Sequence, residues 1–504
     1  MMEAPTGKVW LVGAGPGDSG LLTLKGRQVL KQGEVILYDS LVSESILAWM
    51  PVHAERIAVG KRAGNHLVPQ ESINRLLLEK AMQGKRVVRL KGGDPFLFGR
   101  GGEELELLAE HQIPFEIVPG VSSALAVPAY AGIPVTHREL ASSLHIITGH
   151  KKHNQPLPLD YDSLVRLGGT LVFLMGVHTL PEICKGLLGA GMPPETPAAF
   201  LENGTLSNQR RVVSELGRLE QDSKQAQMKP PAVLIVGAVC ALSQMFSWAD
   251  QRLLSDVRVI VTRPAERASS LTQPLQELGA EVLELPAIQT VPRPDTPDLL
   301  RMLDRLPHYD WMVFTSPAGV DVFFAFLYRN RVDMRSLHAL KFAAIGPATA
   351  RMLEQRGIFA DLIPDTYDAH ALAQALQQAV QPGEKLCIPR AKEGTEQLTK
   401  PLQQAGIPFD DVPLYDTVQL GHAPVALRET DLIVFTSAST VKGFVQAMQG
   451  TDLRGVQAVC IGEQTARQAR HHNMKTAIAE QATIPSLIDC VVACHLQRKK
   501  GCSL

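Results

Sequence analysis

The chain has 504 residues, more than one hydrophobic core usually supports, so we expect several domains. A formal net charge of −1 and an aromatic content of 5% argue against a broad nucleic-acid-binding surface. The first residues lack the pattern of a signal peptide, and the longest apolar stretch, near 232–241, is too short to span a bilayer. We therefore expect a cytoplasmic protein with no nucleic-acid or membrane partner.

Short apolar runs alternate with helical patterns through the first half of the chain, which predicts an α/β architecture. The predicted strands lie at 9–12, 35–38, 87–91, 115–118, 145–148, 170–175, 198–202 and 232–237, with helices at 21–30 and 70–82. From residue 257 the pattern starts again, after a short polar joint at 247–256.

The first predicted strand ends in GAGPGDSG, where Gly15, Gly17 and Gly20 satisfy the dinucleotide-binding pattern G-x-G-x-x-G. An NAD(P)-linked oxidoreductase is therefore one alternative. Pro16 has no N–H to offer a pyrophosphate, and Asp18 would place an anion beside it, which argues against that alternative.

A second glycine-rich stretch, residues 87–104, reads VVRLKGGDPFLFGRGGEE. A strand that stops at Gly92 and Gly93 allows a ligand to lie against bare backbone, because no Cβ stands in the way. Asp94 is placed as an acceptor for hydroxyls or an amine, and Pro95 stiffens the loop. Taken alone, the stretch favours an ordinary glycine-rich turn between a strand and a helix, and only the other motifs make a ligand site the better interpretation.

The second half contains an internal repeat. DWMVFTS at 310–316 recurs as DLIVFTS at 431–437, and IGPATA at 345–350 recurs as IGEQTA at 461–466. Each copy predicts a strand that ends in Thr-Ser at the start of a helix, where free N–H groups and hydroxyls attract anions. Helix capping alone would explain one copy. The duplication favours two facing units that form a cleft for a multiply carboxylated ligand.

The motifs of the first half resemble those of the uroporphyrinogen-III C-methyltransferases, which are tetrapyrrole methylases, over residues 8–245. The shared motifs, in order, are GAGPGD, YDSLVS, GKR, VRLKGGDPFLFGRGGEE, VPGVSSA, PAYAGIPVTHR, TGH, ENGT with QRR, and PPAVLIVG. The resemblance implies two α/β domains that enclose S-adenosylmethionine, with S-adenosylhomocysteine as product. It also implies a homodimer through this half.

The second half resembles uroporphyrinogen-III synthase over residues 257–497. The shared motifs are VTRP, YDWMVFTS, AIGPATA, PRAKEG, VPLYDT and the second FTS. This resemblance implies two α/β lobes, with the chain crossing between them near 286–292 and near 413. We thus expect a methyltransferase at 1–248 and a synthase at 257–504. The fusion implies an enzyme that cyclises hydroxymethylbilane and methylates the product twice to precorrin-2, toward sirohaem or cobalamin.

The resemblance to the methylases also implies the roles of individual residues. Asp39 and Lys61 match the proposed base and acid, although a helix cap and a surface cation are the alternatives. The residues expected to bind the cofactor are Pro16, Gly92, Gly93, Asp94, Leu97, Ser122, Ser123, Met175 and Gly204. The cations expected to meet tetrapyrrole carboxylates, some of which we expect to be structural ion pairs instead, are Arg62, Arg89, Lys91, Arg100, His137, Arg138 and Arg211.

In the second half, Tyr415 matches the tyrosine proposed to help the bilane hydroxyl leave as water, although a half-buried strand tyrosine is an equal alternative. The residues expected to bind substrate carboxylates are Thr315, Ser316, Thr436, Ser437, Gly462 and Thr465. We expect no metal, because Cys490, Cys494 and His495 do not have the spacing of a zinc site. A non-catalytic tetrapyrrole-binding protein is a further alternative, which the presence of both Thr-Ser copies and Tyr415 disfavours.

Overall fold

A computed structural model describes residues 7–60, 68–150, 157–263, 265–420 and 425–501. These residues form four five-stranded sheets, two in each half of the chain. Each sheet separates two hydrophobic clusters, one on each face, so the α/β class predicted from the alternating pattern is confirmed. Within the described residues, no helix is both long and apolar enough to cross a bilayer.

The first domain is built on a parallel sheet. Its elements are β1 (Lys8–Gly13), α1 (Leu24–Gln32), β2 (Val35–Tyr38), α2 (Glu44–Leu47), β3 (Glu55–Ala58), α3 (Gln70–Met82), β4 (Arg86–Lys91), α4 (Gly101–Glu110) and β5 (Phe115–Val118). The strand order is β3-β2-β4-β1-β5. Alternate residues of β1 enter different clusters, Val12 on one face and Val9 and Leu11 on the other. Because all strands are parallel, their carboxyl ends share one edge.

The second domain has a mixed sheet. Its elements are α5 (Ser123–Tyr130), β6 (Leu144–Thr148), α6 (Tyr161–Leu167), β7 (Thr170–Leu174), α7 (Leu180–Gly189), β8 (Pro197–Glu202), β9 (Arg210–Glu215), α8 (Leu216–Gln225) and β10 (Ala232–Val236). The order is β6-β7-β10-β8-β9, in which only β6 and β7 are parallel. Val127 of α5 packs into the cluster on one face of this sheet.

The C-terminal half begins a first lobe with β11 (Arg258–Val261), α9 (Ala265–Glu277) and β12 (Glu281–Glu284). The chain then builds a second lobe. Its elements are β13 (Ile288–Pro292), α10 (Pro297–Asp304), β14 (Trp311–Phe314), α11 (Pro317–Arg329), β15 (Lys341–Ala344), α12 (Pro347–Glu354), α13 (Ala369–Ala379), β16 (Leu386–Ala391), α14 (Glu396–Gln404) and β17 (Phe409–Gln419). This sheet has the order β13-β17-β16-β14-β15, with β13 antiparallel to β17.

The chain returns to the first lobe with β18 (Leu432–Phe435), α15 (Ala438–Ala447), β19 (Gln457–Cys460), α16 (Glu463–His471), β20 (Lys475–Ile478) and α17 (Ile484–Gly501). These strands complete a parallel sheet in the order β12-β11-β18-β19-β20. The two halves of the internal repeat therefore lie in different lobes, one copy in β14 and β15 and the other in β18 and β19.

The two lobe crossings lie close together. The first follows β12, inside or just before the predicted segment 286–292, and the second follows Gln419, six residues beyond the predicted position near Pro413. The amide of Leu420 donates to the carbonyl of Ala287 at 3.0 Å, which joins the crossings. Pro413 marks a change of strand partners instead. β17 pairs with β16 up to a register shift there, and continues along β13 from Tyr415.

A buried ion pair ties the edge of the first lobe together. Arg258 is 1% exposed, and its Nε and Nη2 donate to the two carboxylate oxygens of Asp431 at 2.9 and 2.7 Å. The same guanidinium donates to the carbonyl of Ala426 at 2.7 Å. The charged groups thus satisfy one another, as burial of an ion pair requires.

We expect Asp431→Ala to destabilise the C-terminal half by about 3–5 kcal/mol, because it leaves the Arg258 charge buried with one partner fewer. Denaturant unfolding of the full chain would measure the change. Asp452→Ala is the matched control, since Asp452 pairs with Arg454 at the surface and its loss should have no measurable effect. Equal effects of the two substitutions would contradict this account of the buried pair.

Candidate functional site

Three glycines meet where the strands of the first domain end. A Cβ on Gly13 would lie 2.5 Å from the Cα of Gly120 and 2.6 Å from the carbonyl oxygen of Gly93. The backbones of Gly15 and Gly93 also exchange hydrogen bonds of 3.2 and 2.7 Å. The loops after β1, β4 and β5 can therefore approach this closely only because Gly13 and Gly120 carry no side chain.

Asp94 fixes the loop that contains these contacts. One of its carboxylate oxygens accepts from the amides of Phe96 and Leu97 at 2.9 and 3.1 Å, and the other accepts from Gly120 at 3.0 Å. The structure thus shows Asp94 as an acceptor for its own loop. The sequence predicts that Asp94 accepts from ligand hydroxyls or an amine. Because a carboxylate accepts about four hydrogen bonds and three are already made within the protein, at most one remains for a ligand.

Asp39 lies at the end of β2, directly beside this loop. Its carboxylate accepts from the amide of Gly92 at 3.1 Å and from the amide of Leu41 at 3.0 Å. The alternative of a helix cap is wrong, because Ser43 is the N-cap of α2 and Asp39 instead holds a turn before it and the loop after β4. The side chain of Asp39 is partly exposed. Lys61 and Arg62 lie outside the described residues.

The glycines predicted to contact the cofactor differ in what surrounds them. Gly93 has φ +67°, and a Cβ there would meet nothing within 4 Å, so its face is open. A Cβ on Gly92 would lie 2.6 Å from the Cβ of Leu41, and one on Gly204 would lie 2.3 Å from Val127. Packing within the protein thus accounts for Gly92 and Gly204, whereas open space for a ligand remains at Gly93.

The other predicted cofactor residues lie where the two N-terminal domains meet. Leu97 packs against the second domain's cluster, so the loop after β4 lies between the domains. Ser122 caps α5 by accepting from the amide of Ala124 at 3.2 Å. Met175 is 49% exposed at the end of β7. Ser123 and Pro16 are partly buried.

Arg89 and Lys91 share one buried carboxylate. Both are 4% exposed, and both contact Oε1 of the fully buried Glu104, at 3.2 and 2.7 Å. Burial lowers the pKa of Lys91 and Arg89 lowers it further, against the opposing effect of Glu104. This placement favours a structural ion pair over the predicted contact with substrate. Sequence reasoning missed Glu104, although two cations on one face of a strand, at i and i+2, require an anion nearby.

The remaining predicted cations are held in different ways. Arg100 begins α4 at the surface and pairs with Glu103 at 2.5 Å. Arg211 pairs with Asp250 at 2.9 Å and donates to the carbonyl of Ala131 at 3.2 Å. His137 and Arg138 lie in the loop after α5, where His137 is partly exposed and Arg138 is exposed.

Asp18 links the first glycine loop to the second domain, a contact that sequence reasoning missed. Its amide donates to Oγ1 of Thr205 at 3.0 Å, and its carboxylate accepts from the hydroxyl of Tyr130 at 2.6 Å. Burial, together with the Asp18 carboxylate, raises the pKa of Tyr130. Because Tyr130 is 112 positions away, no local pattern could have revealed this pair.

In the second lobe, Tyr415 and Ser316 are brought together. Their hydroxyl oxygens lie 2.8 Å apart, and Ser316 also caps α11 by accepting from the amide of Gly319 at 3.0 Å. Tyr415 lies in β17 and is 5% exposed, so it is buried more deeply than the half-buried strand tyrosine given as the alternative. The two residues come from β17 and from the end of β14, so folding assembles a hydroxyl pair at the carboxyl edge of this sheet.

The first lobe repeats part of this arrangement. Ser437 caps α15 in a reciprocal capping box with Thr440. Gly462 precedes α16, and a Cβ there would meet nothing within 4 Å. Thr465 is 4% exposed, which leaves little of it to bind a ligand. Thr315 and Thr436, the two remaining residues predicted to bind carboxylates, are both partly exposed.

The hinge between the lobes lies at the carboxyl edge of the second lobe's sheet. The first crossing leaves β12 at its carboxyl end and enters β13 beside the end of β17, where the amide of Leu420 donates to the carbonyl of Ala287. A Cβ on Gly443 of α15 would lie 2.3 Å from the carbonyl oxygen of Ala287, so α15 packs directly on the hinge. The capped start of α11 lies at the carboxyl edge of one sheet and that of α15 at the carboxyl edge of the other, and this is the edge at which ligands bind in such sheets.

Neither half offers a metal centre within the part of the chain that the structure describes, since no three His, Cys, Asp or Glu residues come together there. The cysteines described there are all free thiols. Burial raises the pKa of the Cys240 thiol to about 12, so this thiol is un-ionised at neutral pH.

Two family models match the chain. The model described as tetrapyrrole (corrin/porphyrin) methylases matches residues 8–220, and the model described as uroporphyrinogen-III synthase HemD matches residues 269–489. A porphyrin biosynthesis protein HemD from Ruminiclostridium josui is 44% identical over 96% of this chain and 97% of its own length. An S-adenosyl-L-methionine-dependent uroporphyrinogen III methyltransferase from Methanosarcina barkeri is 50% identical over 48% of this chain and 95% of its own.

Among solved structures, a uroporphyrin-III C-methyltransferase from Thermus thermophilus in complex with S-adenosylhomocysteine is 42% identical, with a TM-score of 0.40 over 46% of this chain and 93% of that one. The extent of the match to the Ruminiclostridium protein decides the assignment, because it runs through both halves. The chain belongs to the family of porphyrin-biosynthesis proteins in which a tetrapyrrole methylase is fused to a uroporphyrinogen-III synthase.

Proposed function

We propose that the chain catalyses two successive reactions. The C-terminal half closes hydroxymethylbilane to uroporphyrinogen III, and the N-terminal half methylates this product twice to precorrin-2, an intermediate toward sirohaem or cobalamin. The observation that carries the proposal is the presence in one chain of two candidate sites at carboxyl strand ends. One is lined by open backbone around Gly93, and the other is bordered by the capped helix starts of the internal repeat.

S-adenosylmethionine, when bound, supplies an electrophilic methyl group, and the residues around Gly93 suit it. The open face of Gly93 allows close approach, while Asp94 holds the loop stiff through three backbone hydrogen bonds. We assign cofactor contacts to Pro16, Gly92, Gly93, Asp94, Leu97, Ser122, Ser123, Met175 and Gly204. A loop that is already fixed loses little entropy when a ligand binds, so the donor and the acceptor can be held in contact.

Asp39 is the proposed base that removes the pyrrole proton. It is anchored by the amides of Gly92 and Leu41, which fix its position beside the cofactor loop. Lys61 is the proposed acid, on the resemblance alone. The carboxylates of the tetrapyrrole are assigned to exposed cations such as Arg100 and Arg138 ahead of the buried Arg89 and Lys91.

In the synthase half, the bilane hydroxyl leaves readily because the resulting cation is stabilised by the pyrrole. The protein mainly has to fold the chain of pyrroles into the inverted geometry. Helix starts at Ser316 and Ser437 offer amide donors to carboxylates, as do the hydroxyls of Thr315 and Thr436. Tyr415 is placed beside Ser316 to donate to the leaving hydroxyl.

We also propose that two copies pair through the methylase half. Exposed apolar side chains on that half support the pairing, and they include Phe96 at 56%, Leu125 at 45% and Leu140 at 40%. Light scattering on the full chain tests it, since a monomer at micromolar concentration would rule it out.

The whole proposal is tested by incubating the full chain with hydroxymethylbilane and labelled S-adenosylmethionine, followed by identification of the products. Doubly labelled precorrin-2 is expected. Release of unlabelled uroporphyrinogen III would leave only the synthase reaction, and release of the spontaneously closed, uninverted isomer would remove both.

Gly93→Ala should abolish measurable binding of S-adenosylhomocysteine, because a Cβ would enter the open face against which the ligand lies. Gly168→Ala is the matched control. Gly168 also has a positive φ, +69°, and open space around it, so this variant likewise places a Cβ on backbone that favours glycine. Calorimetry should show loss of binding in the first variant alone. Equal affinities would take Gly93 out of the site.

Asp39→Asn should reduce the methylation rate by about 10²–10⁴, the usual effect of losing a general base. Affinity for S-adenosylhomocysteine should change far less, because the amide retains one oxygen for the Gly92 or Leu41 amide. Asp160→Asn, at a capping aspartate of α6, is the control and should leave the rate unchanged. A parallel loss of rate and affinity would show that Asp39 only positions the loop.

Tyr415→Phe should slow ring closure less than the double variant Thr315→Val with Thr436→Val, because binding geometry contributes more than acid catalysis. The assay is the synthase rate corrected for spontaneous closure. Tyr309→Phe is the control, since it removes another buried hydroxyl of the same lobe, bonded to Asp410. An inactive Tyr415→Phe beside a fully active double variant would show that a dedicated acid carries the reaction.

A further inference from the structure

The first synthase lobe contacts both domains of the methylase half. On the first domain, Arg258 pairs with Glu44 of α2, and the indole N–H of Trp49 donates to Glu284 at 3.2 Å. On the second domain, Ser207 donates to Glu281 through its amide at 3.1 Å and its hydroxyl at 2.6 Å. The cofactor cleft lies between these two domains, so the lobe bridges its walls.

The second of these contacts is buried and doubly charged. Glu281 is 8% exposed in its side chain and accepts from both terminal nitrogens of Arg428, at 2.9 and 3.2 Å. Although burial raises it, the pKa of Glu281 is lowered overall by its hydrogen bond with Arg428. Nη1 of Arg428 also donates to the hydroxyl of Ser207 at 3.1 Å. A three-residue network thus fastens the loop between β8 and β9 to the lobe.

These contacts lie on both sides of the place where the first glycine loop, GAGPGD at 13–18, meets the second domain. Ser19, which accepts from Gln276 of the lobe at 3.5 Å, is adjacent to Asp18. Ser207 is two positions from Thr205, whose hydroxyl accepts from the Asp18 amide. The lobe therefore contacts residues close to Asp18 and Thr205, the pair that joins the GAGPGD loop to the second domain.

Between these contacts the two halves do not pack tightly. A polar cavity of about 290 Å³ separates them, lined by Gly17 and Asp18 on one side and by Gln276 and Glu281 on the other. The buried hydroxyl of Ser45, which also lines it, has no hydrogen-bond partner among the described residues. Charged contacts at the rim, with a small apolar contribution from Ala48, therefore hold the halves together.

We propose that the first synthase lobe acts as a structural wall of the methylase, in which Glu44 and Ser207 are positioning residues that hold the first glycine loop, GAGPGD at 13–18, against the second domain. The inference rests on the proposed cofactor. It predicts that the methylase binds S-adenosylhomocysteine more weakly when the lobe is not docked, even though no lobe residue touches the ligand.

The test uses the full chain with two substitutions on the methylase surface, Glu44→Lys and Ser207→Glu. The first places a cation against Arg258, which remains paired with Asp431, and the second places an anion against Glu281. Like charges at an interface are strongly unfavourable, so both contacts should open. Calorimetry should show an affinity for S-adenosylhomocysteine lower by about fivefold or more, a typical coupling between sites. Amide hydrogen exchange at 17–20 and 205–209 should become faster.

Two further variants separate docking from local damage. Glu55→Lys alters another methylase glutamate, paired with Lys80 within its own domain, and should bind normally. Adding Glu281→Gln to the Ser207→Glu variant removes the repulsion and lets the carboxylate at position 207 pair with Arg428, so affinity should recover.

Wild-type affinity for S-adenosylhomocysteine in the double variant would overturn the inference. So would a loss of affinity in the Ser207→Glu variant that the added Glu281→Gln substitution does not restore. Failure of the unaltered chain to bind S-adenosylhomocysteine would remove the proposed cofactor itself, and with it this inference.

Discussion

The methylase half depends on one steric constraint, the mutual contact of three glycine backbones. Gly13, Gly93 and Gly120 end or follow three neighbouring parallel strands, and any Cβ at Gly13 or Gly120 would lie within 2.6 Å of another backbone atom. The contact draws the three loops into one layer at the carboxyl edge of the sheet. Asp39 and Asp94 can then cap the amides of neighbouring loops, because those amides are held at fixed positions.

Buried charge constrains the two halves in a similar way. Arg89 and Lys91 share Glu104 beneath the cofactor loop, and Arg258 is held by Asp431 at the edge of the first lobe. Removing one partner of such a group leaves an uncompensated charge, which is far more unfavourable than the pair is favourable. These groups therefore fix the ends of β4 and β11, and their cations are not available to bind carboxylates.

The sequence predicts the order of elements well, because short apolar runs bounded by glycine and proline determine strands locally. It also locates the strand ends that carry the site. Prediction from the sequence fails where contacts between residues far apart in the chain determine the structure. Pro413 reads as a break, yet β17 continues because it exchanges β16 for β13 as its partner at that point. The contact of Asp18 with Tyr130 and the sharing of Glu104 arise from packing between domains or elements, which no local pattern records.

The two clefts differ in the sign of the groups at their edges, and this matches what each is proposed to hold. The loops around Gly93 are held by the carboxylates of Asp39 and Asp94, whose negative charge suits a cationic sulfonium. The synthase cleft instead presents the starts of α11 and α15, where helix dipoles and free amides favour anions. A tetrapyrrole with many carboxylates would be repelled from the first set of groups and attracted by the second. The proposal that exposed cations such as Arg100 and Arg138 meet the carboxylates of the substrate follows from this difference, because the carboxylates of Asp39 and Asp94 cannot do so.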